Sequence, residues 1–457
     1  MLKSKTMDML NGPIFKNLII FALPIMAINV LQVIFHATDI FVLGLFSSDS
    51  SVAGTGATSP VINLFLGFFG GFASGTNVLV GRAIGKNDKE SVKKHIGVSL
   101  LFGVLFGFVL MIIVFIGARY FLIWMNCPES ILDLAVVYIR IYFIGVPIIL
   151  FYNICAAILR SVGDTVRPFI YLIIGGVSNL ILNVFFVVVL RIDVAGVAIA
   201  TVLSKLITAI LSFRALLKGV GYAKIERKYL KFYKDELKEL LGLGIPAGIQ
   251  AGLFNITNIY LNSILNSFGE TIITANTVCY QVDAMITSAM NGFSLGALSF
   301  FSQNVGAKKY DRVWKVLGVS VFINCILGIS LGVLLFMFGR YIFVFMTDNP
   351  EVIDYTTIRL KVIALTYFTL GIMNVLENLI KAMKKAVTSM ICSILGTIVL
   401  SVAWMLFIFP INPTLEMYYS VYPVSWVVSC IMFACIGFAL LFKLQKKHRE
   451  EKEQLSL

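Results

Sequence analysis

Residues 25–45 read I-M-A-I-N-V-L-Q-V-I-F-H-A-T-D-I-F-V-L-G-L, an apolar run long enough to cross a bilayer that carries His36 and Asp39 towards its far end. A carboxyl group in hydrocarbon costs several kcal/mol unless it is paired, hydrated or protonated, so it marks an ion path, a proton relay or a substrate counter-ion. His36 stands three residues before Asp39 on the same helical face, and imidazole and carboxylate can therefore line one cavity.

The rest of the chain is equally apolar. Its 457 residues are 59% hydrophobic and 13% charged, with a mean hydropathy of +0.92, against ~45–50% apolar residues in soluble domains. The expected fold class is an all-α integral membrane protein. The net charge of +13 would suggest nucleic acid in a soluble protein. In a membrane protein the position of the cations decides their meaning, and no nucleic-acid partner is expected. The seven Cys residues lie mostly in apolar segments without metal-like spacing, so they read as packing residues. The first apolar segment is too long for a cleaved signal core and is expected to remain.

Apolar runs broken by charge or turn signals give twelve spans, at 14–45, 53–80, 95–123, 131–158, 168–190, 194–216, 239–267, 274–303, 315–344, 353–380, 386–409 and 418–443. Cations gather in alternate connections: Lys3, Lys5 and Lys16, then Arg82 to Lys94, Arg160 and Arg167, Arg214 to Lys238, Lys308 to Lys315, Lys381 to Lys385, and Lys443 to Lys452. The intervening connections carry acids such as Asp49, Glu129, Asp133, Glu270, Asp348, Glu351, Asp354 and Glu416. That sidedness places both termini in the cytoplasm and the chain in the cytoplasmic membrane.

The chain also repeats. Asn153 to Ile170 (N-I-C-A-A-I-L-R-S-V-G-D-T-V-R-P-F-I) aligns with Asn374 to Ile391 (N-V-L-E-N-L-I-K-A-M-K-K-A-V-T-S-M-I) at an offset of about 221 residues, and six spans separate equivalent points, so the halves share one orientation. Residues 1–216 form the N-lobe, 217–238 a cytoplasmic linker, 239–443 the C-lobe and 444–457 a cytoplasmic tail. The linker segment Lys224 to Leu240 mixes apolar and basic residues as an amphipathic interfacial helix would.

Pro24 and Asp39 in the first span, Gly81-Arg82-Ala83-Ile84-Gly85-Lys86 after the second, Leu159-Arg160-Ser161-Val162-Gly163-Asp164-Thr165 after the fourth and Val194 to Thr201 opening the sixth together resemble the multidrug and toxic compound extrusion (MATE) family. The resemblance covers about residues 10–445 and implies two six-helix bundles in a V that export amphipathic, usually cationic compounds against a cation gradient. It also implies an N-lobe cation site, which falls here on Asp39, Asn179, Asn183 and Thr201. Asn183 stands where the family often has a second carboxylate, which puts tight Na+ binding in doubt. The seventh and tenth spans lack the acids of another branch, so the chain looks like the branch of the DNA-damage-inducible protein F.

Depth counted at ~1.5 Å per residue puts Asp39, Asn183 and Thr201 ~9–11 Å below the outer surface, with His36, Asn179 and Lys205 about one turn deeper. Lys205 reads as the one cation far from a span end, and Asp39 is its expected counter-charge by depth. Its ammonium and the apolar surroundings would act on the carboxyl in opposite senses. One carboxylate, one His and one built-in cation suit a proton better than Na+ as the coupling ion, though Na+ at Asp39 stays open; no other cofactor is expected. Asp39 and Lys205 as a plain structural clamp, and His36 as a packing residue, stay open beside the coupling roles.

Pro24 is the expected hinge because it shares a helix with Asp39. In the C-lobe Gln250, Asn255, Asn258, Asp283 and Glu377 are candidates for substrate or inter-helix contacts, with Glu377 also able to pair with Lys381 one turn on. The expectation is a monomeric secondary antiporter of amphipathic or cationic organic molecules in the lipid bilayer. The alternatives are a flippase for lipid-linked saccharides or, in another class, a channel. No nucleophile motif, metal cluster or phosphate loop points to an enzyme.

Overall fold

The computed structural model describes residues 6–344, 346–347 and 349–456; Lys3, Lys5 and Asp348 of the charge count lie outside them. Among the described residues eleven helices are long and apolar enough to cross a membrane, and a bent pair makes twelve. We number them α1 (Ile14–Phe46), α2 (Asp49–Gly85), α3 (Lys89–Trp124), α4 (Glu129–Ile144 with Val146–Ser161), α5 (Val166–Val189), α6 (Asp193–Lys218), α7 (Lys234–Asn266), α8 (Glu270–Gly306), α9 (Tyr310–Val344), α10 (Pro350–Ala382), α11 (Ala386–Ile411) and α12 (Leu415–Gln454). All twelve coincide with the spans expected from hydropathy. No strand occurs among the described residues; Val220 and Ala223 form one isolated bridge.

Several helices begin where a side chain satisfies a free N–H group of the first turn. Ser48 caps α2 through the Ser51 amide, Asp88 caps α3 through Ser91, and Thr414 caps the start of α12 through Met417. The turns repeat along the chain even where the sequence does not. Asn87 and Lys308 both adopt positive φ (57° and 54°), as do Gly163 and Lys384 (91° and 61°), and each pair stands at the repeat offset. At Gly163 a side chain would also strike the Met7 backbone, 2.6 Å from its carbonyl oxygen.

Of Pro24, Pro60, Pro147 and Pro246, only Pro147 marks a break. It sits at the start of the second segment of α4, which turns by 46° after Ile144, whereas Pro24, Pro60 and Pro246 lie inside continuous helices. Small residues bring helices together: a Cβ on Gly71 would lie 2.9 Å from the Gly244 carbonyl, and one on Gly75 would lie 3.1 Å from Leu243.

Two compact units result, one of residues up to Asp8 with Leu31–Gly248, the other of Met9–Val30 with Ile249–Leu457. α1 and α7 each contribute residues to both, so Pro24 belongs to the second unit and Asp39 to the first.

The linker departs from expectation. Lys224 to Leu240 is no continuous amphipathic helix: a single 3-10 turn spans Arg227–Tyr229, and α7 begins at Lys234. Docking explains the difference, because the segment is strapped to α3 within the first unit. Lys93 and Glu226 are 2.6 Å apart, Ile225 and Ala223 are buried, and the Tyr229 carbonyl lies so close to Gly97 that any side chain there would collide with it. The hydrogen bond from Lys93 holds the Glu226 carboxyl below its ordinary range.

Candidate coupling site and the comparisons with known proteins

Asp39 is buried in the first unit, 6% exposed. The Asn183 amide donates from Nδ2 to Asp39 Oδ1 at 2.5 Å, and the Thr201 hydroxyl donates to Oδ2 at 3.3 Å. Asn179 closes the ring: its Oδ1 accepts from Asn183 Nδ2 at 3.2 Å, and its Nδ2 donates to Thr201 Oγ1 at 3.4 Å. α1, α5 and α6 thus each bring part of one cluster, and the four residues singled out in the sequence are in contact. Asn183 is followed at once by a π-helical stretch, Val184–Val189, a wider winding that tends to occur at functional positions.

One buried acceptor, Asn183 Oδ1, has no hydrogen-bond partner. With the carboxylate, the Asn179 oxygen and the Thr201 hydroxyl, it offers an oxygen-rich pocket to a proton carrier or a small cation. Tyr138 and Tyr142 of α4, buried and stacked 6.2 Å apart, lie within electrostatic reach of Asp39. Sequence reading passed over them; their only mark was two phenols one turn apart in an apolar span.

Lys205 corrects an expectation. It forms no salt bridge with Asp39, whose two oxygens face Asn183 and Thr201, although it stays within electrostatic reach of that carboxylate; its ammonium lies 5.7 Å from the centroid of the Tyr152 ring. Equal depth on two helices is not equal azimuth. His36 is exposed, one turn from Asp39, and feels its charge without a described hydrogen bond.

Lys205 is also not the only interior cation. Arg140 lies in α4, its Nε donating to the Phe115 carbonyl at 3.1 Å. Arg359 lies in α10, 6% exposed.

Arg359 organises the polar centre of the second unit. Its guanidinium donates to the carboxylate of Asp283 and to the side-chain oxygen of Asn276, and the Tyr367 hydroxyl donates to the other Asp283 oxygen. The rings of Tyr419 and Tyr422 lie 5.3 and 5.9 Å from the guanidinium carbon. Asp283 is therefore one half of an enclosed ion pair.

Elsewhere in that unit, Gln250 Nε2 donates to Glu377 at 2.8 Å and to Ser393 at 2.9 Å. Glu377 also pairs with Lys381 at 2.6 Å, the i,i+4 bridge that the sequence allowed. Asn255 donates to the Ala251 carbonyl of its own helix at 3.1 Å, and Asn258 is half-buried with no described hydrogen bond. Around Pro24, α1 packs on α8: a Cβ on Gly292 would meet the Met26 backbone at 2.6 Å, and Asn29 donates to the Ser288 carbonyl at 3.2 Å. Among the described residues no group of three or more His, Cys, Asp or Glu side chains is placed to hold a metal ion.

The MatE family profile matches the chain twice, over residues 24–185 and 246–407, in keeping with the internal repeat. Probable multidrug resistance protein YoeA of Bacillus subtilis is 29% identical over 378 residues, covering 81% of each chain. Multidrug export protein MepA of Staphylococcus aureus is 21% identical over 402 residues, covering 86% of this chain and 88% of its own. Among solved structures, a MATE in complex with MaL6 superposes with a TM-score of 0.90 at 20% identity, over 97% of this chain and 100% of that one. The outward-facing multidrug resistance MATE transporter of the MOP superfamily gives 0.89 at the same identity and coverage. With both halves matched by the family profile, this multi-pass membrane protein belongs to the MatE family of multidrug efflux transporters.

Proposed function

We propose that the protein is a secondary antiporter of the cytoplasmic membrane, acting as a monomer with both termini in the cytoplasm, that exports amphipathic, cationic organic compounds by alternating access in exchange for protons. The observation that carries the reading is the setting of Asp39: one buried carboxylate, hydrogen-bonded by neutral donors and without a salt bridge among the described residues.

Such a group can change charge without tearing a cation from it. When ionised, the carboxylate accepts from Asn183 and Thr201, and each hydrogen bond to a charged group is worth ~1.5–3 kcal/mol. When protonated, it becomes a donor. Thr201 can turn its hydroxyl and the Asn183 amide can present its unpartnered oxygen, so the same residues serve both states. Na+ is the less favoured ion because Asn183 supplies an amide where a second carboxylate would help neutralise it. The multidrug names of the relatives support the substrate class, and Pro24, on the same helix as Asp39, is the position at which α1 would bend.

The test is transport of a lipophilic cation in proteoliposomes under an imposed pH gradient or an imposed Na+ gradient, run separately. Accumulation driven by the pH gradient and indifferent to Na+ is expected. Uptake driven by Na+ alone would overturn proton coupling, and equilibration without accumulation under either gradient would overturn antiport.

A further inference from the structure

The turn before α9 and the end of α12 border an open concavity of about 490 Å³ lined by Lys308, Lys309, Arg312, Lys315, Arg449 and Lys452, with Asp311 as the acid among its lining residues. We propose that this cavity is a site for a phosphate-bearing anion, with an anionic phospholipid headgroup as the source that its surroundings favour.

Partnerships within the cavity leave its positive charge in place. Lys308 is neutralised by Glu451 at 2.7 Å, but Lys309 donates to the Leu10 carbonyl and the Asn11 side chain, and Arg312 donates to the carbonyls of Met9, Asn11 and Gly12. The oxygens that Lys309 meets are uncharged; they fix that cation without cancelling it. Asp311 accepts from Gln445 at 2.8 Å. Lys315, Arg449 and Lys452 make no ion pair or hydrogen bond among the described residues. A solvated basic face would spread such residues over a convex surface; here they converge from two helices on one concavity.

The adjoining surface says what kind of anion fits. Trp314 hydrogen-bonds Gln445 through its indole N–H at 3.3 Å and packs its ring against Phe438 and Phe442, 5.3 and 5.0 Å between centroids. Phe442 is 59% exposed. An amphipathic Trp at the end of a span marks the level of the headgroups, and basic pockets between helices at that level suit anionic headgroups. Cations beside an apolar shelf match a phosphate joined to acyl chains better than a free phosphate.

The full-length protein in neutral detergent would be titrated with dihexanoyl phosphatidylglycerol, dihexanoyl phosphatidylcholine and inorganic phosphate, following Trp fluorescence and native mass. Phosphatidylglycerol is expected to bind at least about tenfold more tightly than phosphatidylcholine, and more weakly as salt rises. The triple variant Lys315→Gln/Arg449→Gln/Lys452→Gln should lose about tenfold or more of that affinity at an unchanged melting temperature. The control Lys86→Gln/Lys89→Gln/Lys224→Gln, which removes as much charge from the other unit, should keep it. Inorganic phosphate binding as tightly, and lost in the same variant, would uphold the site and assign it a soluble ligand. Equal binding of the two lipids, an unaffected triple variant, or an equal loss in the control would overturn it.

Discussion

Asp39 and Asp283 are both carboxylates enclosed by apolar helices, and the two halves of the protein hold them in opposite ways. Asp39 is met by the neutral Asn183 and Thr201, whereas Asp283 is met by the guanidinium of Arg359 with Tyr367 on its other oxygen. At the repeat offset Arg359 takes the place of Tyr138, and Tyr422 that of Thr201. Related scaffold positions have thus been given different chemistry. A carboxylate tied to a buried cation is costly to protonate because the cation would be stranded, while one held by groups that both donate and accept can titrate. That difference is why we propose charge exchange for the first unit and a fixed clamp for the second.

The comparison breaks most readily at Asp39. Asp39→Asn keeps the size and the hydrogen-bonding partners but removes the titrating group, so gradient-driven efflux should fall about 100-fold or more, to background, with melting changed by less than about 1 kcal/mol. Asp283→Asn should show the reverse balance, with uphill transport persisting in whatever protein folds.

Next in size is the clamp itself. Arg359→Met leaves Asp283 as an unpaired buried charge and should cost ~3–5 kcal/mol of stability in detergent melting, with Arg359→Met/Asp283→Asn recovering most of it. A double variant no more stable than the single one would show that Arg359 acts through its contacts with Asn276, Tyr419 and Tyr422 instead.

The smallest effect belongs to Lys205. Because its ammonium rests against Tyr152 and not on Asp39, Lys205→Met should cost only ~0.5–2 kcal/mol and leave the pH optimum of transport in place. A displaced optimum would show that its charge, within electrostatic reach of Asp39, tunes the carboxyl without a salt bridge and would narrow the contrast between the two centres.

What could be read in the sequence followed from how each feature is encoded. The twelve spans were legible because a bilayer demands uninterrupted apolar length, a local property of the chain. Asp39 was legible because its cost in hydrocarbon is local too. Pairing is not local. Arg359 lies 76 residues from Asp283 and near enough to the start of its span to pass for an interfacial cation, so the ion pair went unseen. Lys205 shows the converse: counting residues along a helix measures depth but not direction, and it suggested a salt bridge with Asp39 where the fold leaves the two charges in reach but not in contact. The linker pattern around Ile225 and Tyr229 was visible, but whether such a face lies on lipid or on another helix is decided by Gly97, on α3, where only a glycine admits the Tyr229 carbonyl.

The central claim, that Asp39 is the group whose charge changes with substrate, is tested most directly by counting protons. Purified protein in weakly buffered detergent, mixed with a lipophilic cation and followed with a pH indicator, should release protons as substrate binds, and Asp39→Asn should release none while Asp283→Asn releases as many as the unmodified protein. Undiminished proton release from Asp39→Asn would contradict the account.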